Sequence, residues 1–201
     1  MKLIYGIPSP YSRKARIAIL EKGLGDHIRF IAHNPFEEPE AVRAANPIGK
    51  VPALILEDGT TLFDSPVICE YVDCLSTDTL LFPASGKERW RVLRWQALAD
   101  GILDATYNIS CEYRRDESRR SLTWIDLWAS SISRGLDVLE NEINSFPDHI
   151  TIAHIAVACV PDYIELRAAD HVNWRDKRPS LAKWFDTFSD RESMIGTRPA
   201  G

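Results

Sequence analysis

The sequence has few cysteines, and no two of them are close enough in the chain to act together. The four are Cys69, Cys74, Cys111 and Cys159, with none of the C-x-x-C spacing found in redox dithiols and zinc sites. This scarcity argues against a disulfide framework and favours reduced, mostly buried thiols in a cytoplasmic protein. The five histidines are equally dispersed, so the sequence predicts no metal site.

The sequence also lacks a long apolar run and an excess of positive charge. No stretch approaches the roughly 20 apolar residues of a membrane span, and no basic segment with a cleavage site precedes the first predicted strand. We therefore expect neither a membrane partner nor a signal peptide. The formal net charge is −5, from 24 Lys and Arg against 29 Asp and Glu, which argues against nucleic acid as a partner.

The beginning of the chain predicts a strand that runs directly into a helix. Residues 2–7 are β-branched and aromatic, Pro8 ends them, and residues 10–21 follow with helical spacing. Ser9 occupies the N-cap position and Pro10 the first helical position. Because a helix start carries unpaired N–H groups and a partial positive charge, this junction favours an anion.

Helical spacing also predicts which side of this first helix is buried. Its apolar face comprises Tyr11, Ala15, Ala18 and Ile19. Three charged residues are expected to lie away from that face, namely Arg13, Lys14 and Glu21.

The turn before the helix has the sequence Ser9-Pro10-Tyr11-Ser12, which is the C-P-Y-C pattern of a redox dithiol with both sulfurs replaced by hydroxyls. Such a turn can stabilise a bound thiolate by hydrogen bonding, but it cannot form a disulfide. A thiol–disulfide oxidoreductase is therefore disfavoured. The alternative for Ser9 is a purely structural role as the N-cap.

The order of the predicted elements indicates two domains of different class. Residues 1–76 have the order β-α-β-α-β-β-α, typical of a mixed four-stranded sheet with helices packed on it. After a linker at 77–86, residues 87–201 predict only helices. One long helix has Trp90 in its apolar stripe, and the next has Trp124 and Leu127. A helix at 152–166 is apolar on every side and should be central, with a kink at Pro161.

Three motifs, in this order, resemble those of the cytosolic glutathione transferase family. SPYSRKARIAI, at 9–19, is similar to the active-site turn of serine-type members such as the zeta class. NPIGKVPALI, at 46–55, resembles the family's N-P-x-x-x-V-P segment. FDSPVICEY, at 63–71, resembles its helix that starts with an acid or amide followed by serine. The resemblance covers nearly the whole chain, and ALADGILDA at 97–105 further resembles a bacterial subgroup.

The resemblance implies an α+β, thioredoxin-like glutathione-binding domain at 1–76 and an all-α C-terminal domain with the electrophile site and dimer contacts. In the first domain, Ser9 matches the family's hydroxyl that donates a hydrogen bond to the glutathione thiolate. Tyr5 is the rival donor, because other transferase classes use a tyrosine near the end of this strand, and Ser12 is next in line. Tyr11 is expected either in the electrophile pocket or in the core.

The resemblance also implies roles for the residues that would hold the rest of glutathione. Val51, followed by a Pro52 that is cis in this fold, would pair its backbone with the peptide as an added strand does. Lys50 would meet the glycyl carboxylate, unless it is simply a surface lysine. Asp64 and Ser65 would bind the γ-glutamyl end and, in addition, cap the helix that they begin.

A second-substrate pocket is expected between the two domains. Its candidate residues are Tyr11, Asp100, Asp104 and Tyr107. Asp100 and Asp104 are four residues apart on one helix, so both can face the cleft, although solvated or arginine-paired carboxylates are the plainer interpretation.

The resemblance implies a cytoplasmic, homodimeric enzyme of detoxification that uses glutathione as co-substrate, binds a small hydrophobic electrophile and needs no metal. Isomerase, dehalogenase and peroxidase variants stay open. So does a non-catalytic binding or interaction protein with the same fold. The joint presence of the glutathione-site residues favours an enzyme, since a scaffold needs none of them.

One departure from the family concerns the central C-terminal helix, which usually starts with the capping box S/T-x-x-D. Here the box is Thr151-Ile152-Ala153-His154. Histidine is expected to be a poorer acceptor than a carboxylate for the backbone N–H that closes the box. On this basis His154→Asp is expected to raise the melting temperature.

Overall fold

The structure is a computed structural model that describes residues 1–77 and 80–199. Its strands are β1 (Lys2–Tyr5), β2 (Arg29–Ala32), β3 (Ala53–Ile55) and β4 (Thr61–Leu62). Its helices are α1 (Pro10–Glu21), α2 (Pro39–Ala45), α3 (Ser65–Cys74), α4 (Gly86–Tyr113), α5 (Leu122–Glu142), α6 (Ile152–Arg167), α7 (Pro179–Phe188) and α8 (Glu192–Ile195). Asp78 and Thr79 of the predicted linker lie outside the described residues, as do the last two residues of the predicted C-terminal domain.

The four strands form one mixed sheet in the order β2-β1-β3-β4. β1 runs parallel to β2, with Leu3 opposite Phe30, and antiparallel to β3, with Leu3 opposite Leu54. β4 pairs with β3 in an antiparallel hairpin. The predicted fold class is therefore confirmed, although β1 ends at Tyr5, two residues before the end of the predicted strand.

One continuous hydrophobic core joins the helices on the sheet to the helical domain. Its centre is α6, where every residue from Ile152 to Pro161 is buried, and which packs against α4 and α1. An all-apolar helix was expected to be central because no face of it can be left in water, and it is. The helix includes Pro161 and continues to Arg167.

Two residues expected to lie away from the buried face of α1 are buried. Arg13 is 3% exposed and Lys14 is 0% exposed. Because α1 packs against α6 as well as α3, the helical domain covers the charged side of the helix too. Each charge is matched across that contact: Arg13 lies 2.6 Å from Asp162 of α6, and Lys14 lies 2.6 Å from Asp100 of α4.

Three apolar residues assigned to helix stripes are in fact exposed. Trp90 is 68% exposed, Trp124 53% and Leu127 48%. Each helix has a broad apolar side, and the neighbouring helices cover only a narrower seam of it. In α5 that seam includes Ile125, Ile132, Leu136 and Leu139, which are all buried. The four-residue helix α8 had no sequence signal strong enough to predict it.

The start of α6 corrects the expectation for His154. The backbone N–H of Thr151 donates to Nδ1 of His154 at 3.1 Å, so the imidazole closes the capping box in place of a carboxylate. Burial lowers the pKa of His154 to about 4, while a hydrogen bond to the Pro147 carbonyl acts the other way. The ring is therefore neutral at pH 7, with Nδ1 as acceptor and Nε2–H as donor.

Candidate active site

The turn between β1 and α1 is held by its own two serines. The N–H of Gly6 donates to Oγ of Ser12 at 3.1 Å, and the N–H of Ser12 donates to Oγ of Ser9 at 3.2 Å. Ser12 is fully buried, whereas Ser9 is half-buried at the very start of α1. Since Ser9 Oγ accepts the bond from Ser12, its own proton is available for an acceptor placed at the helix start.

The two tyrosines near this turn have contacts of their own. The Tyr5 ring packs edge-on against Phe30, and the guanidinium carbon of Arg16 lies 4.6 Å from the Tyr5 ring centroid. Tyr11 donates its hydroxyl proton to Oδ1 of Asp104. Burial, and then this hydrogen bond, raise the pKa of Tyr11 far above its ordinary value, so the group stays a phenol whose single proton is already donated.

The segment before β3 meets the turn at Gly6. A Cβ on Gly6 would lie 3.1 Å from Cγ2 of Val51 and 3.6 Å from Cβ of Ser9. Glycine therefore allows a close approach of the two segments and brings Val51 beside Ser9. The peptide bond between Val51 and Pro52 is cis, and Lys50 is exposed at the same edge.

Buried Asn46 holds this segment in place. Its Nδ2 donates to the carbonyl of Lys50 at 2.9 Å, and its Oδ1 accepts from the N–H of Ile48 at 3.0 Å. Gly49 completes the turn with φ +71°, a left-handed conformation that favours glycine. These residues of the N-P-x-x-x-V-P motif thus shape the backbone that presents Val51.

Asp64 and Ser65 lie at the start of α3, but they do not share a capping role. Asp64 occupies the N-cap position, where its exposed side chain makes no capping hydrogen bond. The prediction that the Asp64 side chain caps the helix is therefore wrong, and its role in binding stays a prediction. Ser65 is 1% exposed in the first turn of α3. With no helix N–H engaged by Asp64, its carboxylate is available for a cationic partner.

The face of α4 that is turned towards the N-terminal domain carries a polar series at spacings of three and four, which we call the α4 stripe. It consists of Asp100, Asp104, Tyr107, Cys111 and Arg114. Asp100 accepts from Nζ of Lys14 through both oxygens, at 2.6 and 2.7 Å. Burial raises the pKa of Asp100 in spite of this ammonium, and the charges of Asp104 and Asp64 add to the rise.

The structure therefore brings the predicted second-substrate residues together where α1 meets α4. Tyr11 of α1 bonds to Asp104 of α4, and Asp100 and Tyr107 lie one turn to either side of Asp104 along α4. Burial raises the pKa of Tyr107, with the Cys111 thiol acting in the same direction and Arg114 against it. Lys14 and Arg114 were not predicted as site residues, although Lys14 bonds to Asp100 and Arg114 lies over the ring of Tyr107. The spacing that marked Asp100 and Asp104 continues to Arg114 and would have identified it.

Neither a metal site nor a membrane helix is found in the described part of the chain. Within residues 1–77 and 80–199, no three side chains of His, Cys, Asp or Glu group closely enough to hold a metal ion. Over the same ranges, no helix is long and apolar enough to cross a membrane.

Comparison with known proteins shows similarity over the whole chain. Residues 8–75 match the family model of the glutathione S-transferase N-terminal domain, and residues 123–187 match that of the C-terminal domain. The uncharacterised GST-like protein YibF of Escherichia coli K12 is 36% identical, over 99% of this chain and 98% of its own.

A glutathione transferase family member from Pseudomonas fluorescens Pf-5 is similar in structure as well. Its crystal structure with bound glutathione superposes with a TM-score of 0.94 and 38% identity, over 100% of this chain and 99% of that one. Its crystal structure with bound S-(propanoic acid)-glutathione superposes with a TM-score of 0.91 and 37% identity, over 100% of both chains.

Proposed function

The chain belongs to the glutathione S-transferase family, and from this premise we propose that it is a serine-type glutathione transferase. It binds glutathione, ionises the thiol and promotes attack of the sulfur on a small hydrophobic electrophile. The bound glutathione of the Pseudomonas relative supports the first part of this proposal. The turn at Ser9 supports the second.

Ser9 is proposed as the catalytic residue that stabilises the thiolate. A hydrogen bond to a charged acceptor contributes roughly 1.5–3 kcal/mol, which corresponds to about 1–2 pKa units. The N-terminal end of α1 adds a favourable field for the same negative charge. Starting from a thiol pKa of about 8.5, the bound thiol then ionises near neutral pH and becomes a nucleophile. Ser9 itself does not act as a base.

The remaining glutathione contacts are proposed for the two segments that flank Ser9. The Val51 backbone, shaped by cis Pro52, pairs with the peptide, and Lys50 meets the glycyl carboxylate. At the other end, Asp64 binds the γ-glutamyl ammonium, while Ser65 and the first turn of α3 bind its carboxylate. The absence of a capping bond from Asp64 supports this assignment.

The electrophile is proposed to bind in the cleft beside the α4 stripe. Tyr11 forms the wall nearest the sulfur, and Asp104 positions it by accepting its proton. Asp100, which is paired with Lys14, acts at a greater distance, as part of the contact that keeps the two domains together. Tyr107 lies further out along the same wall.

The proposal rests mainly on the contacts made by the four hydroxyl-bearing side chains near the β1–α1 turn. Of the hydroxyls at the β1–α1 turn, Ser12 accepts from Gly6 in a fully buried site, Tyr11 donates to Asp104, and Tyr5 packs against Phe30 and Arg16. Ser9 is the half-buried hydroxyl at the helix start and lies beside Val51. The arrangement fits a thiolate site on Ser9.

The proposal is tested by calorimetric titration of glutathione into the wild type and Ser9→Ala, together with the ultraviolet absorbance of the bound thiolate. We expect the wild type to show a thiolate signal near pH 7 and Ser9→Ala to lose it, with the thiol pKa raised by about 1–2 units. An equal signal in both proteins would contradict the role of Ser9. No binding of glutathione to the wild type would contradict the proposed function as a whole.

The zeta-like form of the turn makes a glutathione-dependent isomerase the second candidate. A substrate that is isomerised while glutathione is regenerated, rather than consumed, would identify it. We also propose that the protein is a homodimer, as the family resemblance implies, and that it acts in the cytoplasm.

A further inference from the structure

The charge of the side chains on the α4 stripe changes along the helix. In the first part of the α4 stripe both carboxylates are engaged, Asp100 by Lys14 and Asp104 by Tyr11. Beyond Asp104 the stripe continues with a phenol, a thiol and a guanidinium and contains no carboxylate. The part of the α4 stripe beyond Asp104 therefore carries only neutral and positively charged groups.

Arg114 is placed at this end of the cleft by two aromatic rings. Its guanidinium carbon lies 4.5 Å from the ring centroid of Phe36 and 5.9 Å from that of Tyr107. Phe36 belongs to the segment between β2 and α2, so Arg114 reaches from α4 to the N-terminal domain. A guanidinium held over a ring face keeps the N–H donors at its edge available, and those donors match the two oxygens of a carboxylate.

Neighbouring arginines differ from Arg114, whose side chain hydrogen-bonds to the neutral phenol of Tyr107 and stacks on aromatic rings. Arg115 pairs with Glu112 at 3.2 Å, and Arg120 donates to the carbonyls of Arg115 and Tyr113. Within the described ranges, 1–77 and 80–199, Arg114 makes no ion pair, and neither does Arg167 of α6. An arginine that is held in place by stacking and lacks an acidic partner is suited to bind an external anion.

Tyr163 of α6 links these two arginines to the cleft. It is 5% exposed, and burial raises the pKa of its hydroxyl to about 12, so the group is a hydrogen-bond donor at neutral pH. The charges of Arg167, one turn further along α6, and of Arg114 both lower the pKa of this hydroxyl, and Tyr163 in turn adds to the raised pKa of Tyr11. The two cations and the phenol are thus near enough to interact, and Tyr163 also interacts with Tyr11.

We propose that Arg114, with Arg167 and Tyr163, forms an anion subsite that binds a carboxylate carried by the second substrate. The inference rests on the proposed function and names its substrate class: small electrophiles that are also carboxylic acids, whose glutathione conjugates carry the acid on the sulfur substituent. Arg114 supplies the paired N–H donors, the Tyr163 hydroxyl donates a further bond, and Arg167 contributes charge.

The test compares two glutathione conjugates that differ in charge alone. S-(2-carboxyethyl)glutathione carries the acid, and S-(2-carbamoylethyl)glutathione is its neutral amide of nearly the same size. Each is titrated by calorimetry into the wild type, Arg114→Gln and the matched control Arg115→Gln, in which the adjacent, ion-paired arginine is changed instead. The measured quantity is the ratio of the two dissociation constants, which cancels any general effect of a variant on glutathione binding.

We expect the wild type and Arg115→Gln to bind the acid about tenfold more tightly than the amide. The ratio should fall close to one in Arg114→Gln. Equal affinities in the wild type, an unchanged ratio in Arg114→Gln, or an equal loss in Arg115→Gln would each overturn the subsite. If glutathione binds and the acid is not preferred, the subsite alone is refuted. If the wild type binds neither glutathione nor the conjugates, the proposed function fails with it.

Discussion

The neutral histidine at the start of α6 predicts a specific loss of stability in mild acid. His154 is 7% exposed, and its ring lies among Phe146, Trp184 and Phe188, with centroid distances of 5.0, 6.2 and 6.2 Å. Protonating Nδ1 would convert the acceptor for the Thr151 N–H into a donor and place a charge in this aromatic cluster. The folded state therefore resists protonation of His154.

The size of this loss of stability follows from the pKa of His154 in the folded and in the unfolded chain. In the folded chain the pKa of His154 is about 4, and in the unfolded chain it is about 6.5. Because the pKa is lower in the folded chain, the stability that neutral His154 contributes is fully present above pH 6.5. It is lost as the pH falls towards 4. Proton linkage gives a loss of about 2 kcal/mol between pH 7 and pH 5, and about 3 kcal/mol by pH 4.

The assay is urea unfolding at pH 7, 6 and 5 for the wild type, His154→Asn and His149→Asn. Asparagine at position 154 keeps an oxygen that can accept from Thr151 but does not titrate, so this variant should lack about 2 kcal/mol of the wild-type pH dependence. His149 is exposed, and its charge is a smaller cause of the low pKa of His154 than burial, so its replacement should leave most of the dependence in place. A wild-type pH dependence in His154→Asn would refute the reasoning.

At pH 7, contrary to the expectation from sequence, His154→Asp should lower the melting temperature, since it removes the ring contacts.

Two further predictions concern packing between helices. Lys14→Met removes the ammonium beside the largely buried carboxylate of Asp100 and should lower the free energy of urea unfolding by about 3–5 kcal/mol. The double variant with Asp100→Asn should recover much of this loss. Additive losses in the double variant would contradict a direct pairing. Gly135→Ala would place a Cβ 2.7 Å from Cγ1 of Ile102 and should cost about 1–3 kcal/mol in thermal or urea unfolding. Gly101→Ala is its matched control, since a Cβ there meets nothing within 4 Å and should stabilise α4 by up to about 1 kcal/mol; an equal effect of the two would contradict the packing argument.

Local signals in the sequence predicted the elements and their order well. Ser9 and Pro10 mark the start of α1 because a hydroxyl acceptor and a fixed φ act within one turn of the helix. Asp58-Gly59 marks the hairpin between β3 and β4 for a similarly local reason. The all-apolar stretch of α6 predicted a central position, since no side of such a helix can remain in water. The strand ends were less well predicted, because they depend on the length of the pairing partner.

The motifs in the sequence predicted which residues form the candidate site. They did not predict what each side chain contacts. The sequence indicated Ser9, Ser12, Tyr5 and Tyr11 as possible donors and could not distinguish them by spacing alone. Two of their partners in the structure come from other segments of the chain, Asp104 of α4 for Tyr11 and Phe30 of β2 for Tyr5. Arg114 lies among the charged residues at 112–120, a pattern that usually indicates a solvated surface and does not predict a contact with Phe36 or Tyr107.

The sequence by itself determined the order of strands and helices, the central helix and the hydroxyl turn at the start of α1, because each is marked by residues near one another in the chain. Only the tertiary structure decided which charges are buried. Arg13 and Lys14 are enclosed because a second domain packs on α1 and supplies Asp162 and Asp100. His154 acts as a neutral acceptor for the same physical reason: burial against distant side chains sets the cost of a charge, and that burial cannot be read from neighbours in sequence.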